Sequence, residues 1–170
     1  GQTRVRILHK GEEVHYAQGD SQRVYFLVKG TVKICTLDEN GNELIREVQK
    51  ADDVFGQILS GEQLQASEYA KVLSYDAIVC EFRYADFEAV LRKNPELSLG
   101  FTKKVWEKLK RAEQRYARLA SNDVRGRLNG FIRDMVEMEG EENGESLKVK
   151  NYLTHNDIAS LINTSRQTVT

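Results

Sequence analysis

At 170 residues, 40% apolar and 30% charged, the chain can bury a working core but offers no apolar run near the ~20 residues a membrane helix needs. No secretory leader opens it, so a cytoplasmic protein is expected, although Gly1 in place of Met suggests that the natural start is missing. The net charge of −1 hides an asymmetry: residues 1–96 carry 12 basic and 16 acidic side chains, residues 97–170 carry 13 and 10, and 103–133 alone carry 10 against 3. Basic charge in the second half is what a polyanion would want, but a solvated helix face gives the same count. Cys35 and Cys80 sit far apart in apolar runs and read as reduced, buried thiols rather than a disulfide or metal pair.

The first ninety residues read as strands and turns. VYFLV (24–28) is rich in β-formers, and Gly30 separates it from TVKICTL (31–37). Asn40-Gly41 within DENGNE predicts a two-residue type I′ hairpin, with LIREV (44–48) as the return strand. KVLS (71–74) and AIVCEF (77–82) are expected to pair with one another. Glycines at 11, 19, 30, 41, 56 and 61 punctuate the stretch as in an antiparallel sandwich or roll, a fold that encloses a cavity fit for a small ligand.

At Tyr84 the period changes. YADFEAVLRKN predicts a short helix with Phe87, Val90 and Leu91 inward. Asn94 then Pro95, a cap followed by proline at the first helical position, starts a helix running to about Ser121 and about 40 Å long at 1.5 Å per residue. Along it Val105, Leu109, Ala112, Tyr116 and Leu119 step by 4, 3, 4 and 3 between charged flanks. Such a narrow seam favours a second, identical helix over packing on its own domain, so a homodimer is expected. Asn122 or Asp123 caps a further helix that should bury Val124, Leu128, Phe131, Ile132 and Met135. GEENGES (140–146) is expected as an exposed turn and LKVK (147–150) as a brief strand.

The chain ends with LTHNDIASLINTSRQTVT. Thr154 with Asp157 three positions on resembles a capping box. Ile158, Ala159, Leu161 and Ile162 are the burial side of the helix it opens. Asn163 falls where left-handed geometry is needed, and Ser165 offers a cap for a second helix beginning Arg-Gln-Thr. Helix, tight turn, helix is the outline of a DNA-reading motif, although a corner in a bundle shares it.

GEEVHYAQGD, VYFLVKGTVKI, DENGNELI, FGQ, NPEL, DVRGRL and above all LTHNDIASLINTSRQTVT are similar to the CRP/FNR family of bacterial transcription factors, named for the cyclic-AMP receptor protein and the fumarate–nitrate reduction regulator. The resemblance covers essentially the whole chain. It implies an α+β protein in three parts: a jelly-roll-like double-stranded β-helix of the cyclic-nucleotide-binding type (1–94), a dimerisation helix (95–121), and a winged helix-turn-helix (122–170) of which the wing is absent. It also implies double-stranded DNA with a palindromic site as partner, RNA polymerase as a further one, and no membrane. Arg166 and Gln167 match residues that reach base edges, Ser165 and Thr168 match phosphate contacts, and Thr154 and His155 match backbone contacts. Gln167 stands where the family usually has Glu.

The effector pocket departs further from the family. Gly56-Gln57 matches a Gly-Glu whose carboxylate takes the ribose. The Arg-Ser pair that holds the cyclic phosphate falls on Ala66-Ser67, within a position, with Glu68 next to it. The paired hydroxyls near the purine fall on Ala112 and Glu113. Between Lys50 and Arg83 the only basic residue is Lys71, so a phosphodiester would be uncompensated and cyclic AMP is not the expected effector. An iron–sulfur cluster wants about four thiolates where two are present, and His9 and His15 are isolated candidates for a haem ligand. The effector is therefore left unidentified, and constitutive DNA binding without one stays open. Three histidines are too few for a jelly-roll metal enzyme, and no nucleophile–base grouping appears, so no enzyme is expected. The rival reading is a small-ligand or cyclic-nucleotide module without DNA-binding activity.

Overall fold

The computed structural model describes residues 3–15, 22–56, 68–144 and 146–170 and divides into two compact units, Gly1–Lys104 and Val105–Thr170. Among the described residues the first holds eight strands: β1 (Arg4–His9), β2 (Glu13–His15), β3 (Arg23–Lys29), β4 (Thr31–Leu37), β5 (Glu43–Lys50), β6 (Val54–Gly56), β7 (Tyr69–Val72) and β8 (Asp76–Arg83). They form two four-stranded antiparallel sheets, in the orders β1-β8-β3-β6 and β2-β7-β4-β5. Side chains alternate along each strand, and one face of each sheet is apolar. Leu8, Tyr25, Leu27, Phe55, Ala77 and Val79 from the first sheet share a core with Val14, Val32, Ile34, Ala70 and Val72 from the second. This is the roll that the sequence suggests.

Two strand-level expectations are corrected. The β4–β5 connection is not a two-residue type I′ turn, because Gly41 takes positive φ (81°) but Asn40 does not. Asp38 is the reason. Its backbone carbonyl accepts from Gly41 N at 3.0 Å, and its carboxylate accepts from the amides of Asn40 and Asn42 at 2.8 Å each, which builds a longer loop on Asp38. Those bonds, the side-chain bond from Asn42 first, hold its carboxyl below the usual range. The segments 71–74 and 77–82 do not pair with each other either. β7 joins β2 and β4, whereas β8 joins β1 and β3 in the opposite sheet. Leu73 and Ser74 donate to Thr31 O and tie the crossing between sheets.

Three helices follow: α1 (Tyr84–Lys93), α2 (Pro95–Ser121) and α3 (Val124–Glu139). Asn94 Oδ1 accepts from Leu97 N at 3.1 Å, and Asp123 accepts from Gly126 N at 2.8 Å, so both caps are side-chain caps. Phe87 meets Phe101 edge-on with centroids 5.5 Å apart. Val90 and Ile132, expected inward, are about half exposed at 49% and 50%, because each lies on the rim of its helix's apolar stripe. Residues 140–146 are not a plain turn: β9 (Glu141–Asn143) and β10 (Ser146–Lys148) pair as a small exposed hairpin. That pairing draws the expected 147–150 strand one residue earlier. The chain closes with α4 (His155–Leu161) and α5 (Arg166–Val169). Cys35 is buried and Cys80 only partly so. No helix among the described residues is long and apolar enough to cross a membrane.

Candidate nucleic-acid interface and effector pocket

The terminal helix pair is set by short-range chemistry. Thr154 Oγ1 accepts from Asp157 N at 3.1 Å while the Asp157 carboxylate accepts from Thr154 N at 2.9 Å, a reciprocal capping box with Asp in the place usually held by Glu. Asp157, Ala159, Leu161 and Ile162 are buried below it. Asn163 adopts φ 52°, and Thr164 N reaches back to Ala159 O at 2.9 Å, closing the helix in a left-handed turn. Ser165 then caps α5, accepting from Thr168 N at 3.3 Å and sharing a 2.9 Å hydroxyl contact with Thr168 Oγ1.

Thr154, His155, Ser165, Arg166, Gln167 and Thr168 are all exposed. The turn between the helices is hydrogen-bonded to a residue that the sequence does not single out. Arg127 of α3 donates to Ile162 O (2.9 Å), Asn163 O (3.2 Å) and Asn122 O (3.0 Å), tying the turn to the start of α3. Nothing in DVRGRL marks Arg127 apart from its neighbour Arg125, because its role depends on carbonyls thirty-five residues away. Arg118 likewise pairs with both carboxylate oxygens of Asp134, one of them at 3.0 Å, and joins α2 to α3.

On α2, Val105, Leu109 and Tyr116 are 44%, 48% and 74% exposed; Ala112 is exposed and Leu119 half-buried. Trp106, which falls outside the heptad seam, is 62% exposed beside it and widens the apolar strip.

The foreseen effector residues are spread over both units. Gly56, at the end of β6, has φ 92°, and a Cβ there would stand 2.5 Å from Arg23 O, so only glycine fits. Gln57 and Ser67 lie outside the described residues. Glu68 is buried at 5% exposure and ion-paired with Arg46. Ala112 and Glu113 are exposed on α2, in the second unit. Lys71 lies on the face of its sheet opposite the core residues and pairs with Glu13 at 2.8 Å. A cavity of about 570 Å³ lies elsewhere, an open groove between α2 and α3 lined by Arg118, Asn122, Asn129 and Arg133 among others. It includes none of the foreseen pocket residues.

Comparison with known proteins places this geometry. The model of the cyclic nucleotide-binding domain matches residues 5–94. The cAMP-activated global transcriptional regulator CRP of Pasteurella multocida is 26% identical over 165 residues, spanning 96% of this chain and 74% of that protein. The global nitrogen regulator of a Nostoc species is 26% identical over 171 residues, spanning 98% and 75%. Among solved structures, a variant of CooA from Carboxydothermus hydrogenoformans matches with a TM-score of 0.79 at 20% identity, covering 98% of this chain and 72% of that one, which is a likeness of fold. The chain therefore belongs to the cyclic nucleotide-binding domain family and, within it, to the CRP/FNR group of transcriptional regulators.

Proposed function

We propose that the protein is a homodimeric, sequence-specific DNA-binding regulator whose α4 and α5 act as a helix-turn-helix. The observation that carries this reading is the exposure of all six polar residues around a turn clamped by Arg127. In this reading Arg166 grips guanine O6 and N7 with two parallel hydrogen bonds, and Gln167 both donates and accepts at adenine N6 and N7. Ser165, Thr168, Thr154 and His155 hold phosphates and so fix the register. The strip formed by Val105, Leu109, Ala112, Tyr116 and Leu119 packs on its copy, which sets two recognition helices about one DNA turn apart, ~34–36 Å, over a palindrome.

Cyclic AMP is not the effector in this reading. Lys71, the one basic residue between Lys50 and Arg83, faces away from the roll's core and is already neutralised by Glu13. The experiment is fluorescence anisotropy of the full-length protein on a palindromic duplex selected from random sequence, repeated across salt. Specific binding that weakens steeply with salt is expected, because phosphate contacts release counterions. Absence of any binding in dilute buffer would leave only the ligand-module reading.

A further inference from the structure

Only Asn122 and Asp123 separate α2 from α3. Asn122 N still bonds to Arg118 O at 3.0 Å, completing the last turn of α2, and Arg127 N bonds to Asp123 O at 3.0 Å, opening the first turn of α3. The direction of α3 therefore depends on the backbone torsions of those two residues, and Asp123 is extended, with φ −68° and ψ 175°. Packing does not fill the angle between the helices, because the groove of about 570 Å³ opens there. Across that groove Arg118, in the last turn of α2, pairs with both carboxylate oxygens of Asp134. The two side chains are 22% and 27% exposed, so their pair is screened less than one on the open surface. Asp134 lies ~15 Å along α3 from its start at 1.5 Å per residue, so a slip of about 1 Å there is a swing of roughly 4°. A bidentate guanidinium–carboxylate pair has a fixed fork geometry and allows little such slip. Gly130, one turn before Asp134, keeps the path of the guanidinium open: a Cβ there would stand 2.5 Å from Arg118 Cδ and 2.9 Å from its Nε. Glycine weakens a helix interior, and here it makes room for Arg118. Arg127 continues the connection from α3 to the α4–α5 turn through Ile162 O and Asn163 O. The seam helix, α3 and the turn before Arg166 are thus joined in series by two arginines.

Resting on the reading of α4 and α5 as a helix-turn-helix carried by a paired α2, we propose that Arg118 is the positioning residue for half-site spacing, with Asp134 as its acceptor and Gly130 as its passage. In a dimer joined along α2, the separation of the two recognition helices follows from the angle that each α3 makes with its own α2. One base pair more or less between half-sites shifts a half-site by ~3.4 Å and turns it by ~34–36° about the duplex axis. A corner held by the Arg118–Asp134 pair cannot follow that change. A corner free to turn at Asn122 and Asp123 follows part of it. Two properties of recognition are thereby separated in the chain. Arg166 and Gln167 decide which bases are read, whereas Arg118 decides how far apart the two readings must be.

The test is fluorescence anisotropy of the full-length protein on a selected palindrome, on the same half-sites set one base pair closer or farther apart, and on a single half-site. The wild type should prefer one spacing by at least about tenfold. Arg118→Met should cut that preference to about threefold or less, with half-site affinity unchanged and the dimer intact in light scattering. Arg118→Glu/Asp134→Arg, which reverses the pair, should recover part of the preference lost in Arg118→Glu alone. The proposal is overturned if dimeric Arg118→Met keeps the wild-type preference, or if its half-site affinity falls as far as its palindrome affinity, which is the mark of a merely structural role. Should Arg118→Met not fold, Gly130→Leu decides by the same criteria, since it leaves both charges in place and blocks the guanidinium's path with a good helix former. A wild type that binds no DNA would remove the regulator reading and this inference with it. A wild type that binds its palindrome without any preference for spacing would remove this inference alone.

Discussion

Arg127 makes three hydrogen bonds to backbone carbonyls, two of them in the α4–α5 turn, and each is charge-assisted. Arg127→Met is expected to cost the second unit ~1.5–3 kcal/mol, with faster hydrogen exchange at the Asn163 and Thr164 amides and no change in the roll. Unchanged exchange there would show that the capping bonds alone hold the turn. Arg166→Ala should lose ~1–3 kcal/mol of DNA affinity and flatten preference at one base pair; a uniform loss over all sequences would make it a phosphate contact. In the roll, Glu43 illustrates competing effects. Burial pushes its carboxyl up, but hydrogen bonds from Lys33 and from Tyr69 (2.7 Å) more than offset this and hold it below the usual range. Burial, and then the bond to Glu43, push the Tyr69 hydroxyl up. A depressed carboxyl adds stability that is fully present above the unfolded value of ~4.3 and lost as pH falls through the folded one. The thermal midpoint should therefore drop in that acid window, and Glu43→Gln should flatten the drop.

At the level of elements, helix starts were legible because caps are local. Asn94, Asp123, Thr154 and Ser165 each bond an amide three residues ahead, within reach of any sequence reading. Thr154→Ala should cost ~0.5–2 kcal/mol in thermal denaturation, and a null effect would mean that burial alone fixes the start of α4. Asn163 was likewise foreseeable, since a left-handed residue after a helix favours Asn. The β4–β5 turn was not, because Asp38 outcompeted the Asn-Gly signal through three side-chain hydrogen bonds. Periodicity gave the facing of α1 and α3 at their centres but not at Val90 and Ile132, where the stripe meets solvent. Glu141–Asn143 and Ser146–Lys148 pair in spite of a polar sequence with no alternation to betray them.

For the whole molecule, the exposed apolar strip on α2 carries the largest claim. No residue of that 27-residue helix is fully buried, and Tyr116 and Trp106 are among the exposed large side chains. Burying an exposed Val or Leu side chain contributes roughly 1.5–3 kcal/mol, and a self-associating helix gains this twice over. Leu109→Asp is therefore expected to give a monomer in light scattering and to weaken binding to a palindrome far more than to a half-site. A wild type that is monomeric at micromolar concentration would remove the paired-helix reading.

Composition, periodicity and capping residues by themselves determined the strand-rich first half, the helical second half and the start of nearly every helix, because each signal acts within a turn or two of chain. Only the tertiary structure decided that β7 and β8 lie in opposite sheets, that Arg46 of β5 pairs with Glu68, and that Arg127 bonds to the last turn. Those contacts join residues from 22 to 36 positions apart in the case of the two arginines. They are selected by which surfaces the folded chain brings together, and no local pattern encodes that.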